Sequence, residues 1–355
     1  MDGSIKVVVL GTGQMGAGMI RLLLSKPGLD LVGVFGRRVH NPPVDVGIAA
    51  GLETELGFEV SNDLAALLED TAPDIALQAT CSTVVDAETE IRTLLEQGVN
   101  VISIAEEMAF PAYSQPQIAT SLDDLARSRG ATLVGTGINP GFVLDLLIVA
   151  LSGTCQIIDR IEARRVNDLA PYGPTVLTCQ GVGLTIRQFE EGVLSGEVAG
   201  HLGFPESLSM IASALGWQIE RIEQRREPII SDVRRQTPHV LVEPGCVAGC
   251  LQTAVAWVDG RAAIQLVHPQ QIHPQLGGVA TGDYIDIEGE PDLHLRIEPE
   301  IAGGTATVAL AVNLIPRVLR AQPGLRTMIE LPVAAALFGS SSRPAAAIIG
   351  GTSGE

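Results

Sequence analysis

A glycine-rich turn near the start of the chain, VVVLGTGQMGAG, limits the fold more than any other feature. It follows the apolar run Ile5–Leu10, typical of a strand buried on both faces, and precedes a predicted helix over Met15–Ser25. The G-x-G-x-x-G spacing allows a tight turn, a close approach of backbone to a pyrophosphate, and close packing of helix on strand. The helix N-terminus then offers free N–H groups to phosphates. We therefore predict a dinucleotide site, the alternative being a plain glycine turn. The predicted cofactor contacts of the turn are Gly11, Thr12, Gly13, Gln14, Met15 and Gly16.

Strand and helix signals alternate through the first third of the chain. Strands are predicted at Leu31–Phe35, Ile75–Ala79, Val99–Ile104 and Thr132–Val134, and helices at 63–68, Val84–Gln97 and Gln117–Ser128. This order is typical of a doubly wound parallel sheet, the Rossmann architecture of the α/β class.

The pattern changes after the first third. A strand at Ile157–Asn167, helices at Leu184–Gly196 and Ser207–Leu215, and strands at Ile219–Ile222, Val247–Val258, Arg261–Leu266 and Tyr284–Glu288 are predicted. These polar-rich, alternating strands indicate a second, α+β domain on a largely antiparallel sheet. We expect a dinucleotide-binding domain over 1–138 and a substrate-binding and dimerisation domain over 139–315. Helical signals at Thr305–Ile315 and Leu325–Leu337 predict a helical segment, 316–338, that returns to the first domain. A loose tail over 339–355 follows.

Composition excludes several classes of function. The 355 residues are 46% hydrophobic and 18% charged, which suits a folded chain with a sizeable core. The net charge of −18 argues against nucleic acid and anionic membranes as partners, and the sequence lacks an apolar run of spanning length. The start of the chain runs straight into a strand, which argues against a signal peptide. Five scattered cysteines suit a cytoplasmic protein with reduced thiols.

The cysteines and lysines of the chain argue against two kinds of chemistry, metal binding and lysine-dependent catalysis. Cys246 and Cys250 lie four apart without a companion pair of ligands, so we expect no metal. The two lysines, Lys6 and Lys26, begin the first strand and end the first helix. A lysine-dependent mechanism is therefore disfavoured.

The second predicted strand ends in VGVFGRR, where an enzyme that uses NAD would usually carry an acidic residue for the ribose hydroxyls. Here Gly36 has no side chain and leaves space for the 2′-phosphate of NADP, and Arg37 and Arg38 supply guanidinium groups that suit such a phosphate. We therefore predict NADP as the preferred cofactor, with NAD as the other. A solvated turn without phosphate contact is the alternative.

Several motifs together resemble the 2,4-diaminopentanoate dehydrogenase family, to which native amine dehydrogenases belong and which is often labelled dihydrodipicolinate-reductase-like. They are GTGQMGAGM, ATCSTVVD, NVISIAEEMAFP, GTGINPGFVLD and GHLGFPES, within residues 5 to 335. The resemblance implies NAD(P)-dependent oxidation of an amine to a ketone or aldehyde plus ammonia, or the reverse. It also implies a homodimer, and we expect Thr80, Ser82 and Asn139 at the cofactor. Dihydrodipicolinate reductases proper have a paired-His motif and a catalytic Lys, which this chain lacks.

Two adjacent acids, Glu106 and Glu107, follow the strand in VNVISIAEEMAF. Ligands of a doubly wound sheet bind beyond the carboxyl ends of its strands, so at least one acid can face the nicotinamide. We expect an extended segment, in which neighbouring side chains point opposite ways. A partly buried carboxyl with a raised pKa can exchange the protons of amine chemistry. The resemblance implies a catalytic Glu in this motif, and we favour Glu107, with Glu106 as the alternative. The alternative is that both are surface acids at the start of a helix, where the helix dipole favours negative charge, with no catalytic role.

Residues further along are candidates for substrate binding. Asn139 and Phe142 lie in INPGF, at the passage into the second domain, where a turn can line the nicotinamide pocket or act only as a hinge. Arg165 and Asn167 share one face of a predicted strand. The resemblance implies that they hold a polar substrate tail, and it implies a pocket histidine at His268; surface or structural roles are the alternatives. His201 in GHLGF is predicted to be structural.

The sequence thus predicts an amine dehydrogenase acting on a small amine, ketone or aldehyde and ammonia. A carbonyl or semialdehyde reductase on the same scaffold would turn over without ammonia. A catalytically silent NADP-binding sensor would bind cofactor without turnover.

Overall fold

A computed structural model describes residues 4–38 and 42–337 of the chain. Its first part follows the predicted alternation of strands and helices. The elements are β1 (Ile5–Leu10), α1 (Gln14–Leu23), β2 (Leu29–Phe35), α2 (Val46–Ala49), α3 (Leu64–Thr71), β3 (Ile75–Gln78), α4 (Val84–Glu96), β4 (Asn100–Ser103), α5 (Pro111–Ser114), α6 (Pro116–Arg129) and β5 (Thr132–Gly135). A short 3-10 helix, Glu106–Ala109, lies between β4 and α5.

The first sheet is parallel and doubly wound, as predicted. Its strand order is β14-β5-β4-β3-β1-β2, where β14 (Gly324–Arg326) comes from near the end of the described chain. The apolar runs that predicted these strands are buried on both faces, and Val7 to Leu10 are fully buried. One face packs on α1, and the other packs on α3, α4 and α6. The carboxyl ends of the strands therefore open along one edge, the edge at which such folds bind ligands.

The second part of the chain forms a mixed, largely antiparallel sheet, again as predicted. The elements are α7 (Leu146–Ser152), β6 (Ile157–Asp168), α8 (Pro174–Cys179), α9 (Ile186–Ser195), α10 (Phe204–Leu215), β7 (Arg221–Ile230), β8 (Arg235–Gln236), β9 (Leu241–Val242), β10 (Val247–Val258), β11 (Arg261–Gln271), β12 (Gly282–Glu290) and β13 (Leu293–Ile297). The six-stranded sheet has the order β13-β12-β6-β11-β10-β7, and only the pair β6 and β11 is parallel.

One face of this second sheet, here called the inner face, packs on α7 and α10. The register aligns Ile161 and Ala163 of β6 with Ile264 and Leu266 of β11, and all four are fully buried. Alternation with period two explains why every second residue of these strands belongs to the core. The alternate residues form the outer face, which is only partly buried.

The chain then returns to the first domain through α11 (Gly303–Val318), which packs on α1, and β14 (Gly324–Arg326), which pairs with β5. The predicted helix over Leu325–Leu337, and with it the helical segment 316–338, is wrong. Leu325 and Arg326 pair with β5, a 3-10 helix spans Met328–Glu330, and the residues after it are irregular. Pro332 explains part of this, because proline disfavours helix at the preceding residue. The predicted loose tail, 339–355, lies outside the described residues.

Within residues 4–38 and 42–337, each helix is too short or too polar to cross a membrane.

Candidate active site

The glycine turn has the shape that a dinucleotide requires. A Cβ at Gly16 would collide with the backbone carbonyl of Gly11, and Gly11 itself has a φ of +110°. A Cβ at Gly13 would meet nothing within 4 Å, so the turn faces open space there. Gly13 caps α1 without a side-chain hydrogen bond, and the first helical turn holds no acid. Free N–H groups and space for phosphate oxygens therefore coincide, and the residues present fit a pyrophosphate. Thr12, Gln14 and Met15 lie in the same turn.

The other predicted cofactor residues lie at the ends of β2 and β3. Gly36 is buried directly after β2. Arg37 turns towards α4, where its Nε lies 2.6 Å from the Glu90 carboxylate. Thr80 donates its hydroxyl to the other oxygen of Glu90 at 2.5 Å. Arg38 is exposed and makes no salt bridge within the described part of the chain.

The two glutamates after β4 do not lie in an extended segment, and that expectation is wrong. Glu106 and Glu107 begin the 3-10 helix Glu106–Ala109, so their side chains do not point in opposite directions by alternation. Both carboxyl groups approach the connection between β3 and α4. Glu107 accepts the Val84 N–H at 2.8 Å and donates its own N–H to the Ser82 carbonyl at 3.2 Å, and the Ser82 side chain lies beside the Glu106 carboxyl group. The predicted cofactor residue Ser82 thus lies beside the predicted catalytic pair.

A third carboxyl group approaches this pair from the second domain. Glu206 lies in the first turn of α10, which packs against the 3-10 helix and α5. Burial, with a smaller contribution from the charge of Glu107, raises the pKa of Glu206 to about 7. Burial also raises the pKa of Glu106, and the charge of Glu107 adds to that shift. The sequence analysis did not single out Glu206, which it met only as part of GHLGFPES.

The turn that contains Asn139 is fixed by a buried aspartate. Asp145 accepts the Gly141 N–H at 2.7 Å, the Leu146 N–H at 2.6 Å and the Ser207 hydroxyl at 2.9 Å. These bonds join the turn to the start of α7 and to α10. The predicted pocket residue Phe142 follows the turn and packs against the core of the second domain. The sequence analysis did not single out Asp145, although its place at the start of a helix is a usual one for aspartate.

The structure brings Asn139, Asn167 and His268 together. His268 Nε2 lies 3.1 Å from Asn167 Oδ1, and His268 Nδ1 lies 3.4 Å from Asn139 Nδ2. The ring of His201 packs edge-on against His268 at a centroid distance of 5.0 Å. Burial lowers the pKa of His201 to about 3 and lowers that of His268 well below its usual value. Both rings are therefore neutral at pH 7, and His201 lies directly against His268.

Arg165 occupies the expected face but has protein partners. Its guanidinium forms an ion pair with Asp283 at 2.5 Å and donates to the Ile301 carbonyl at 2.6 Å. The side chains of Arg165 and Asp283 are 2% and 1% exposed. The positive charge is thus compensated within the protein. Asp283 was not predicted, because a single acid at the start of a strand carries no distinctive signal.

Several buried polar atoms near this turn lack a hydrogen-bond partner. Within the described residues these include Thr136 Oγ1, Asn139 Oδ1, His201 Nε2 and Gln270 Oε1. Gln270 lies two residues beyond His268 on the inner face and is aligned with Asn167. Unpaired buried atoms are rare in native proteins, and a concentration of them is typical of a ligand-binding site. The described residues contain no group of three His, Cys, Asp or Glu side chains that could hold a metal ion.

Comparisons with known proteins show which family the chain resembles. Residues 142–346 match the family model of the 2,4-diaminopentanoate dehydrogenase C-terminal domain, and residues 5–104 match that of the dihydrodipicolinate reductase N-terminus. The chain is 42% identical to a 2,4-diaminopentanoate dehydrogenase of Acetoanaerobium sticklandii, over 94% of this chain and 95% of that protein. It is 26% identical to an amine dehydrogenase of Streptomyces virginiae, over 94% of this chain and 98% of the relative.

A solved structure has the same architecture over nearly the whole chain. The amine dehydrogenase of Mycobacterium smegmatis superposes with a TM-score of 0.84 and is 31% identical. The match covers 94% of this chain and 98% of that chain.

Proposed function

The chain belongs to the 2,4-diaminopentanoate dehydrogenase family, and from this premise we propose that it is an NAD(P)-dependent amine dehydrogenase. It oxidises a primary amine to a ketone or aldehyde and ammonia, and it catalyses the reverse reductive amination. The observation that carries this proposal is the position of Glu106 and Glu107. They follow β4, at the same edge of the sheet as the glycine turn after β1. A proton-transferring group and a cofactor cradle therefore lie on one cleft.

The residues of the cleft have defined tasks in this chemistry. The bound nicotinamide accepts or supplies the hydride. In the oxidative direction an ammonium substrate must first lose a proton, because only the free amine can release hydride to give an imine. Water then adds to the imine carbon and must lose a proton, and ammonia leaves after gaining one. A carboxyl group near the reacting nitrogen can carry out these transfers in turn.

We propose Glu106 as the group that carries the protons, with Glu107 as the alternative. Glu107 already accepts the Val84 N–H at the N-terminus of α4, so its carboxyl group is held by a contact within the protein. Burial raises the pKa of Glu106, which is the direction that favours a carboxyl group able to exchange protons. Glu107 then acts on Glu106 through its negative charge.

The substrate contacts follow from the polar cleft. We propose that Asn139, Asn167 and His268 contact the substrate and that Phe142 forms an apolar wall. Arg165 is proposed to support this surface through Asp283, because its charge is already compensated. Asn139 is shared between substrate and cofactor in this proposal.

The cofactor preference is also a proposal. Arg37 and Arg38 after Gly36 favour NADP over NAD, because they bring positive charge to the position where an acidic residue would repel a 2′-phosphate. Thr80 and Ser82 are proposed to line the cofactor site together with the glycine turn.

We further propose a homodimer that buries the outer face of the second sheet. Leu251, Val255 and Trp257 of β10 lie on this face and are only partly buried. Arg221 stacks on the Trp257 ring at 3.9 Å, which leaves a flat surface that suits contact with a second copy. All five cysteines are free thiols, which supports a reducing, cytoplasmic compartment.

The first test is oxidation of NADPH and NADH with a panel of small ketones and aldehydes, with and without ammonium. We expect oxidation that depends on ammonium. Oxidation without ammonium would indicate a carbonyl reductase, and tight cofactor binding without oxidation would indicate a sensor.

The second test compares two isosteric variants. Glu106→Gln is expected to lower kcat by about 10²- to 10⁴-fold, because an amide cannot exchange the proton. Glu107→Gln keeps part of the local hydrogen bonding and is expected to lose less. Cofactor binding should be kept in both variants. A larger loss of kcat in Glu107→Gln than in Glu106→Gln would show that Glu107 carries the protons.

A further inference from the structure

Arg37 is held in one place by α4. Its Nε lies 2.6 Å from Glu90 Oε1, and a terminal nitrogen donates to the Asp86 carbonyl at 2.8 Å. Two donors directed at two acceptors on one helix fix both the position and the plane of a guanidinium group. Arg37 therefore does not move freely in solvent, although its side chain is 44% exposed.

Glu90 is itself fixed from the interior. The residue is 7% exposed, and its Oε2 accepts the Thr80 hydroxyl at 2.5 Å and the Gln78 amide at 3.3 Å. The Gln78 carbonyl oxygen accepts the Ser103 hydroxyl at 2.6 Å. A buried carboxylate is costly unless it is paired and hydrogen-bonded, and this one is both. The network runs from the end of β4 across β3 to Arg37, so a rigid part of the sheet determines where Arg37 lies.

The contact between Arg37 and Glu90 crosses the edge of the first sheet at which the strands have their carboxyl ends. β2 and β3 flank β1, and the glycine turn follows β1. Arg37 begins just after β2 and reaches the helix that follows β3, so it passes beside the end of β1. Nucleotides bind beyond the carboxyl ends of the strands at this position.

Arg37 and Arg38 therefore differ in how well each can bind a phosphate. A phosphate brought to Arg37 would also approach the Glu90 carboxylate, and the two negative charges would repel. Glu90 also raises the pKa of Arg37, which shows how firmly the charge of Arg37 is already compensated. Arg38 is exposed and has no acidic partner within the described residues.

We propose that Glu90 organises nucleotide recognition in this enzyme by giving the two arginines different roles. It commits Arg37 to serve as a flat wall against the adenosine, which NAD and NADP share, and it leaves Arg38 as the cation that binds the 2′-phosphate. Guanidinium planes stack well on aromatic faces, which suits Arg37 to this role. The inference rests on the proposed cofactor and assigns its recognition to particular residues.

The test uses two fragments of the cofactor, 2′,5′-ADP and 5′-AMP, titrated calorimetrically into the full-length protein. They differ only in the 2′-phosphate. Arg38→Ala is expected to weaken 2′,5′-ADP binding about tenfold or more, since a charged hydrogen bond is lost, and to leave 5′-AMP within about twofold. Arg37→Met and Glu90→Gln are expected to weaken both fragments by a similar factor.

A matched control is available on the same helix. Glu88 pairs with Arg92 at 2.8 Å on a partly exposed part of α4, so Glu88→Gln makes the same chemical change away from Arg37. It should change neither affinity. Thermal unfolding of each variant identifies loss of fold, and Arg37→Met keeps the test decisive if Glu90→Gln is unstable, because Arg37 is partly exposed.

Three results would overturn the proposed roles of the two arginines. Glu90→Gln would bind 2′,5′-ADP more tightly with 5′-AMP unchanged if Glu90 merely competes with the phosphate for Arg37. Arg37→Met would lose only 2′,5′-ADP if Arg37 itself reads the phosphate. Binding of neither fragment by the unaltered protein would overturn the cofactor assignment as well. Because no substrate is present, the result does not depend on whether the reaction is amine oxidation.

Discussion

The two ends of the inner face of the second sheet are built by the same strands but differ in chemistry. At one end the face is apolar, with Ile161, Ala163, Ile264, Leu266 and Ile285. Two residues further along, the same face carries Arg165, Asn167, His268, Gln270 and Asp283, which are also buried. Burial therefore does not separate core from site in this domain. The two ends differ instead in what packs against them: the apolar end packs on α7 and α10, whereas the polar end contacts the turn that contains Asn139.

Burial also contributes differently to the stability of the fold at the two ends. Each apolar side chain that leaves water stabilises the fold by a few kcal/mol, about 1.5–3 for a Leu or Ile. Each polar group must first recover the hydrogen bonds that it made to water, so its net contribution is smaller or negative. Gln270 Oε1 and Asn139 Oδ1 recover none within the protein. The polar end thus gives up stability and keeps acceptors available to a ligand.

The largest expected effect of breaking this arrangement comes from the buried ion pair. Asp283→Asn removes the counter-charge of Arg165 and leaves a buried cation, which is expected to cost about 3–5 kcal/mol of the free energy of unfolding. Urea unfolding measures this. The control is Glu191→Gln in the exposed pair with Arg187, where about 0–0.5 kcal/mol is expected. An unchanged midpoint in Asp283→Asn would mean that the pair contributes little.

The apolar end should respond in stability alone. Leu266→Ala deletes a fully buried side chain and is expected to cost about 2–5 kcal/mol, through lost burial and the cavity left behind. The kcat/KM per folded molecule should stay within about twofold, because Leu266 points into the core. A large loss of kcat/KM in folded protein would show that the two ends are coupled.

The sequence predicted the first domain and its turn in most details, because each signal is local. A glycine spacing, an apolar run or an aspartate before a helix, such as Asp63 before α3, acts within a few residues of itself. At the polar end of the second sheet, the sequence analysis named Arg165 and Asn167 from their shared strand face, and His268 only through the family resemblance. Asp283 and Gln270 join it through strand pairing across more than a hundred residues, which no local pattern records.

The glutamates after β4 show a second limit. Their position was predicted, but the geometry was not, because an extended segment and a 3-10 helix differ by one hydrogen-bonded turn. That turn directs both carboxyl groups at the β3–α4 connection, and it moved the preferred proton carrier from Glu107 to Glu106. The helix predicted at Leu325–Leu337 failed for a related reason, since pairing with β5 outweighs local helix preference.

A smaller effect should appear as pH dependence at the polar end. Buried His268 is neutral when folded and has its ordinary pKa near 6.5 when unfolded, so the unfolded state binds the proton first. The free energy of unfolding should fall as pH drops below about 6.5, by about 1.4 kcal/mol per pH unit from this histidine, or about 2 kcal/mol between pH 6.5 and 5.

His268→Gln should reduce that slope by about 1.4 kcal/mol per pH unit, and unfolding at a series of pH values measures it. Glu206 acts in the opposite sense, because its raised pKa makes the folded state bind the proton first between about 7 and 4.5. It is present in both proteins, so the difference between their slopes isolates the histidine. Identical slopes would place the His268 ring in contact with water.

The smallest expected change in stability makes the sharpest test of the comparison. Gln270→Met keeps the length of the side chain and removes a buried acceptor that has no partner, so the free energy of unfolding should change by less than about 1 kcal/mol. If Gln270 contacts the substrate, KM should nevertheless rise about tenfold, since one hydrogen bond is lost. Leu266→Met is the matched change at the apolar end. Its free energy of unfolding should change by less than about 1.5 kcal/mol, the usual cost of a volume-conserving exchange, and its KM should stay within about twofold. An unchanged KM in Gln270→Met would mean that the unpaired acceptors bind ordered water, and that the two ends differ in hydration rather than in function.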